Sequence, residues 1–341
     1  MEEFVFKTTP YAHQMEAFIS SAERPNFAIL MDMGTGKTKV DIDSMAHCFE
    51  KGLIDFALIV APKGVIRNWV PEIEAHLPDR IEREVVVWKP NLSKAHRKEL
   101  MDLHESTGRL KFLLMNIEAF STKKGVDVAN FFMKKFKVFM TVDESTTIKN
   151  RKAKRTKAVC AVGRGAIMRR ILTGSPVTKS PMDLYSQMEF LSPAILGFKS
   201  YYAFQARYAV VQRRTMGMHS FNHIVGFRRL DELTERLKEH SYRVRKEDCL
   251  DLPDKVYMKR EVELTAEQSA AYVQMKHLAL ARLDNGELAT TQNVLTQIMR
   301  LQQICLGSLT DDDGTVHPLK SNRLTELLEI CDEIQGKAII W

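Results

Sequence analysis

The chain has 341 residues, 45% of them hydrophobic and 27% charged, with 50 Lys and Arg against 43 Asp and Glu for a net charge of +7. That is room for about two domains at ~150 residues each, with enough apolar content to exclude wholesale disorder. No uncharged apolar run nears the ~18 residues of a membrane helix, the start Met1-Glu2-Glu3-Phe4 is not a secretion signal, and the scattered cysteines (48, 160, 249, 305, 331) contain no Cys-x-x-Cys pair. The expectation is a cytoplasmic protein with buried, reduced thiols, no zinc site and no membrane contact, from a bacterial or viral source, with a nuclear location left open.

Up to about residue 190, short β-prone apolar runs at 27–31, 56–62, 85–88, 111–116, 137–142 and 169–173 alternate with helical patterns. Near-continuous apolar runs of that length suit strands buried on both faces of a parallel sheet. Between the first two, Ile42, Met45, Ala46 and Phe49 make one helical stripe that Gly52 can end. The fold class predicted is therefore α/β, a P-loop parallel sheet with helices on both faces. After Leu191-Ser192-Pro193 helical patterns dominate, interrupted by a hairpin near 208–227 around Met216-Gly217. A loop follows at Asp311-Asp312-Asp313-Gly314, then a helix with Leu324, Leu327, Leu328 and Cys331 on one stripe, and 336–341 reads as the opening of a strand. The division predicted is 1–190, 191–335 and 336–341.

Gly34-Thr35-Gly36-Lys37-Thr38 falls between the first strand and the first helix. Backbone N–H groups, a helix N-terminus and the Lys37 ammonium can converge there on nucleotide phosphates, with the Thr38 hydroxyl on Mg²⁺. Met31 stands where the strict phosphate-loop pattern has its first glycine. Asp143-Glu144 ends the strand at 137–142. An acid at that place can hold Mg²⁺ through water and the next carboxylate can polarise the attacking water. Trp69 and Trp88 read as packing residues, and His219 with His223 lacks the third ligand of a metal site. Between Ser145 and Met182 there are ten basic residues and no acidic one, so the rest of the chain is slightly acidic. A localised stripe of this kind suits a phosphate backbone, or a solvated helix face.

Taken in order, these strings resemble the Swi/Snf-type branch of the superfamily-two helicase-like ATPases. Pro10-Tyr11-Ala12-His13-Gln14 is similar to its adenine-reading motif, with Gln14 as reader. The stretch from Met31 to Thr38 is similar to motif I, that from Leu58 to Lys63 with Asn68-Trp69 to motif Ia, and that from Asp143 to Asn150 to motif II. Leu172-Thr173-Gly174-Ser175-Pro176-Val177 is similar to motif III. Leu191-Ser192-Pro193, Arg243-Val244-Arg245-Lys246, Leu252-Pro253-Asp254-Lys255 and Leu264-Thr265-Ala266-Glu267-Gln268 resemble the helical protrusion this branch carries between its two RecA-like lobes. Ser145 and Thr146 depart from the glycine and histidine common in motif II. The arginines of a second lobe are also missing, since Arg323 is the only arginine after Lys320.

The resemblance implies an ATP-dependent double-stranded DNA translocase using ATP and Mg²⁺. It implies Lys37, Asp143 and Glu144 in catalysis, and Gln14, Gly34, Thr35, Gly36, Lys37 and Thr38 around the nucleotide. Thr38 and Asp143 would serve the metal, and Thr173, Gly174 and Ser175 would couple nucleotide state to lobe movement. Lys63, Lys149, Asn150, Arg151 and Lys152 would lie on nucleic acid. A second RecA-like lobe or a partner would supply an arginine finger, so the chain is expected to be an N-terminal fragment that hydrolyses ATP weakly. Two other readings compete: an RNA helicase of the same superfamily, against which Asp-Glu-Ser-Thr and Thr-Gly-Ser-Pro weigh, and a non-catalytic ATP- and DNA-binding module completed by a partner chain.

Overall fold

The computed structural model describes residues 4–216, 219–249, 253, 256–284, 291–311 and 313–340. The chain divides into two compact units, Met1–Leu252 and Pro253–Trp341. In the first, α1 (Ala12–Ser21) leads to β1 (Asn26–Met31), α2 (Lys37–Glu50), β2 (Phe56–Ala61), α3 (Trp69–His76) and β3 (Arg83–Val87). Then come α4 (Lys94–Glu105), β4 (Leu110–Asn116), α5 (Lys123–Met133), β5 (Val138–Asp143), α6 (Lys154–Gly163) and β6 (Met168–Leu172). The unit continues with α7 (Leu184–Leu191), α8 (Pro193–Leu196), α9 (Tyr201–Tyr208), the strands β7 (Ala209–Met216) and β8 (His219–Phe227), α10 (Leu230–Lys238), β9 (Ser241–Val244) and α11 (Lys246–Cys249).

Seven strands form one parallel sheet in the order β3-β4-β2-β5-β6-β1-β9. Why the runs are apolar throughout is visible in β2. Phe56, Leu58 and Val60 enter the core beneath α5 to α9, while Ala57, Ile59 and Ala61 enter the core beneath α1 to α3. A strand with a helix layer on each side has no face left for polar residues. α2 ends as its glycine predicts: Gly52 takes φ +67° and the Leu53 N–H donates to the Cys48 carbonyl.

Three sequence expectations need correction. Residue 190 does not close the sheet, because β9 joins it at 241–244, beside β1. Ser-Tyr-Arg-Val on an edge needs no apolar run, so its pattern is silent, and Arg243-Val244 belongs to the sheet instead of a helical protrusion. Residues 336–340 form no strand: a strand requires a hydrogen-bonded neighbour, and no described segment pairs with them. Only Cys48 and Cys160 of the five thiols are buried.

The hairpin lies where expected, as β7 against β8, with the turn residues 217–218 outside the described set. In the second unit α12 (Ala266–Asp284) packs on α13 (Thr291–Leu306), and the Gln268 amide donates to the Ile304 carbonyl at 2.7 Å. A short antiparallel pair, β10 (Ser308–Thr310) with β11 (Val316–Pro318), flanks the aspartate loop, and α14 (Arg323–Glu333) carries the expected leucine stripe. Among the described residues no helix is long and apolar enough to cross a membrane.

One buried polar group ties α2 to the sheet. Asp41, fully buried, accepts from the Thr141 hydroxyl of β5 at 2.7 Å. Behind it the buried Arg170 donates to the Ser21 carbonyl at 2.6 Å, closing the end of α1, with its guanidinium 4.9 Å from the Phe139 ring centre. Burial pushes the Asp41 carboxyl up to about 7, and burial likewise raises Asp43, paired to Lys39 at 2.6 Å, to about 6. Both exceed the unfolded value of about 3.9, so between about pH 4 and pH 7 the folded chain holds more protons than the unfolded one. Stability from these two groups is complete below about pH 4 and falls as pH rises to 7, by at most about 1.4 kcal/mol per pH unit and per group. Asp41→Asn keeps an acceptor for Thr141 and is expected to flatten that slope, read from urea unfolding at pH 5, 6 and 7.

Candidate nucleotide-binding site

The strand order decides which loops meet. β6 lies between β5 and β1, so their C-terminal ends set Thr173–Ser175 between the phosphate loop and Asp143. Open α/β sheets bind ligands at that edge.

Within the phosphate loop Gly34 and Gly36 take φ +83° and +87°, a backbone only glycine adopts without strain. A Cβ on Gly36 would also lie 2.2 Å from Gln14 Nε2. The Asp32 carbonyl organises the turn, accepting from the Thr35 hydroxyl at 2.7 Å and from the Lys37 ammonium at 3.1 Å. The Thr35 carbonyl accepts from Gln14 Nε2 at 3.0 Å and pairs with His13 Nε2 at 2.9 Å. Gln14 Oε1 accepts from the Tyr11 N–H at 3.1 Å. Both ends of the Gln14 amide are thus held by backbone, and the side chain is 5% exposed. Gln14 braces the phosphate loop from α1.

Across the edge Asp143 is also held at both oxygens. Oδ2 accepts from the Trp69 indole N–H at 3.0 Å, and Oδ1 accepts from the Glu144 N–H at 2.9 Å. Trp69 opens α3 and is 1% exposed, so the indole enters the core with its one donor aimed at a carboxylate. Glu144 stands at φ +47°, a left-handed backbone that costs a non-glycine residue about 1–3 kcal/mol and that clusters at functional sites. Burial raises the Asp143 carboxyl, against the pull of Trp69 and the Glu144 N–H. Burial and then Asp143 raise Glu144. Burial lowers Lys37, opposed by the charges of Glu144, Asp143 and Asp32.

The Lys37 ammonium thus faces three carboxylates, with the Lys246 ammonium over Gly34 as a second cation. A phosphate chain needs the ammonium and the turn's N–H groups, and a divalent cation needs the surplus of carboxylate. The Thr38 hydroxyl at the start of α2 has no described hydrogen-bond partner, which leaves it open to a metal. The residues present therefore fit Mg²⁺ and a nucleoside triphosphate.

Gly174 follows β6 where a Cβ would come 3.2 Å from the Asp32 Cα, so the two loops pack backbone to backbone. The Thr173 hydroxyl accepts from the Ser175 N–H at 3.2 Å. The Ser145 hydroxyl donates to Gln187 Oε1 at 2.6 Å, and Gln187 Nε2 donates to the Pro176 carbonyl at 2.7 Å. That chain runs from the loop after Asp143 to the loop after β6 through α7. The five residues expected on nucleic acid divide between two loops. Lys63 is exposed after β2, and 149–152 follow β5, its neighbour, on the same edge. Asn150 accepts from the Lys152 N–H at 3.0 Å within its own loop.

The sequence missed three contributors. Trp69 was assigned to packing, and only its place in Asn68-Trp69 pointed further. Gln187 sits in a helix with no motif around it. Lys246, after β9, donates its N–H to Asp32 Oδ2 at 3.0 Å and brings a second ammonium over Gly34.

With this geometry in place, the comparisons with known proteins become decisive. The model of the SNF2-related domain matches residues 13–308. This chain belongs to that family. An uncharacterized ATP-dependent helicase of Mycoplasma genitalium is 27% identical over 286 residues, covering 83% of this chain and 24% of that protein. A probable ATP-dependent DNA helicase of Arabidopsis thaliana is 25% identical over 288 residues, 80% of this chain and 24% of that protein. The chain therefore spans about a quarter of the length of these relatives. The SWI2/SNF2 ATPase core of Sulfolobus solfataricus, solved in complex with dsDNA, superposes with a TM-score of 0.54 at 21% identity over 98% of this chain and 66% of that one. The fold is the RecA-like sheet of an SNF2 ATPase core.

The indole bond to Asp143 can be weighed without any nucleotide. Trp69→Phe keeps a ring but removes a donor to a buried carboxylate, worth about 1.5–3 kcal/mol. Trp88 is also buried and its Nε1 has no partner, so Trp88→Phe removes ring volume and relieves an unpaired donor without breaking a hydrogen bond. Chemical unfolding should find the first variant less stable than the second by at least about that amount.

Proposed function

We propose that this chain is the ATP-binding motor lobe of a double-stranded DNA translocase of Swi/Snf type. The observation that carries the reading is the convergence of Lys37, Asp143 and Glu144 on one sheet edge, with basic loops on the same edge. Lys37 and the first N–H groups of α2 would neutralise and orient the β- and γ-phosphates. Thr38 and Asp143 would hold Mg²⁺, which when bound adds charge stabilisation to the transferring phosphoryl group. Glu144 would orient the attacking water, with a carboxyl raised by burial and by Asp143. Gln14 would brace the phosphate loop and reach adenine only by giving up a backbone bond. Thr173, Gly174 and Ser175 would sense both sides, since they lie between them. Lys63 and residues 149–152 would take strand phosphates.

Phosphoryl transfer depends on positioning and on charge at the γ-phosphate, where an arginine finger contributes about 10³–10⁵ in rate. A second lobe or partner chain is proposed as its source, so turnover by this chain alone should be low. The sheet edge would then be one wall of a two-walled cleft.

The test is ATP hydrolysis with and without duplex DNA, by this chain and by a longer one reaching through the next lobe. The longer chain is expected to turn over and to respond to DNA, and Lys37→Ala to lower its rate by at least about 10²-fold. Duplex binding with no hydrolysis by either chain would favour a non-catalytic binding module. Stimulation by RNA alone would favour an RNA helicase.

A further inference from the structure

The hairpin β7–β8 has no part in the nucleotide site. It is a two-stranded sheet joined by no third strand. Its base is anchored, since Ala209 is 3% exposed and Ile224 packs on the core beneath α5 to α9. Outward of that base, residues 211–215 are all exposed, as are Ser220, Asn222 and His223. At ~3.4 Å per residue the ribbon reaches roughly 17 Å beyond its anchor. A two-stranded ribbon with neither face covered adds little to the stability of a lobe, so packing does not account for its length.

Its charge selects a partner. From residue 190 to residue 230 the sequence has six basic residues and no acidic one. On the ribbon itself, Arg213 and Arg214 are exposed and have no hydrogen-bond or ion-pair partner among the described residues. A basic surface free of carboxylates complements a polyanion. Its location points the same way. α9 carries Tyr201 at its start, with the Arg151 guanidinium 4.1 Å from that ring centre, and runs directly into β7. A helix of 8 residues spans about 12 Å, so the ribbon leaves the lobe one short helix away from the basic loop 149–152.

The register fixes how the ribbon would meet that partner. Arg213 pairs with Asn222 and Thr215 with Ser220, and the two hydroxyls lie 3.3 Å apart. Alternation along each strand puts these four side chains on one face, outward of Val211 and Ile224. Gln212, Arg214 and His223 share the other face. Arg and Asn are the side chains that make paired hydrogen bonds to guanine and adenine edges, and hydroxyls serve any base. Phosphates alone would call for cations, without Asn, Thr and Ser set around Arg213. The major groove of B-form DNA, ~12 Å wide, admits a two-stranded ribbon, whereas that of A-form RNA is too deep and narrow for side chains to read.

We propose that the β7–β8 ribbon lies in the major groove of duplex DNA, with Arg213, Thr215, Ser220 and Asn222 toward the base edges. The proposal rests on the DNA reading above and deepens it, since the loops of the sheet edge were assigned to strand phosphates only. A groove contact gives the chain a preference for B-form DNA over duplex RNA. Arg213 carries the bidentate fork that guanine O6 and N7 accept, so guanines are the bases the ribbon covers.

The experiment measures fluorescence anisotropy of a labelled DNA duplex of about 30 base pairs, and of the RNA duplex of the same sequence, with the wild type, Arg213→Ala and Asn222→Ala. Both positions are exposed, and thermal melting checks that the variants fold. Each variant is expected to bind the DNA duplex at least about fivefold more weakly, with RNA-duplex affinity within twofold. Dimethyl sulfate gives a second readout, because it methylates guanine N7 in the major groove and adenine N3 in the minor. The wild type is expected to shield guanine N7, and Arg213→Lys to lose that shielding while keeping its charge. Unchanged DNA binding by both variants, an equal loss on DNA and RNA, or guanine N7 left open under saturating wild type would overturn the groove contact. The DNA reading is tested separately by Lys149→Ala with Lys152→Ala in one chain, which should weaken duplex binding whatever the ribbon does. If the wild type bound no duplex, both readings would fall.

Discussion

The position of Asp143 is the constraint on which the remainder of the site depends. A carboxylate at the end of a buried strand is costly unless its oxygens are satisfied. Here the Trp69 indole satisfies one and the next residue's own N–H the other. The second bond accompanies the left-handed turn at Glu144, which directs the chain away from the strand just where a second carboxylate is wanted. The first bond draws α3 into the arrangement. Because α3 follows the loop carrying Lys63, a shift of that loop would be felt at Asp143 through one rigid ring. The loop nearest the proposed DNA contact and the acid nearest the proposed metal therefore share a hydrogen bond.

Beneath this lies a second polar layer, between α2 and β5. The bond from Thr141 to Asp41 ties the middle of α2 to β5 two residues before Asp143. The phosphate loop sits at one end of α2 and Asp143 at the end of β5, so the two halves of the nucleotide site are pinned together below as well as facing each other above. Arg170 extends the pin to the end of α1, the helix whose Gln14 and His13 grip the loop's Thr35. These buried charges add little to stability as such, since apolar residues of like volume would serve as well. They restrict which way α2 can slide on the sheet, and the phosphate loop needs that restriction.

How much of this the sequence disclosed follows from the range of each interaction. The five inner strands and the helix α2 were legible because burial on both faces writes itself into every residue of a strand, and a stripe into every turn of a helix; β3, at the edge, was legible from its run of valines. The phosphate loop and Asp143-Glu144 were legible because glycine at positive φ and acids at strand ends are local requirements. β9 was not, since an edge strand of four residues owes its place to β1 and carries no pattern of its own. The small pair around the aspartate loop escaped for the same reason. Trp69, Gln187 and Lys246 were hidden differently. Their residue types are common in helices and loops, and only the folded chain reveals that their donors end on a carboxylate, a carbonyl and the phosphate-loop turn.

Motif II makes the same point about a departure from pattern. Serine and threonine in place of glycine and histidine break a local rule, and the sequence alone places the doubt on Thr146. In the fold the connection to the loop after β6 passes through the residue before it. The Ser145 hydroxyl meets Gln187, whose amide has its carbonyl on one loop and its N–H groups on Pro176 and Asp183. An amide suits that place because it accepts and donates at once, and a glycine at 145 would leave its oxygen without a donor. A serine at 145 and a glutamine at 187 are thus one arrangement. Loss of either partner would strand a buried polar group between the acid loop and the loop after β6. Those two loops are joined here by two hydrogen bonds through α7 and directly by the Lys149 ammonium, which donates to the Thr178 hydroxyl.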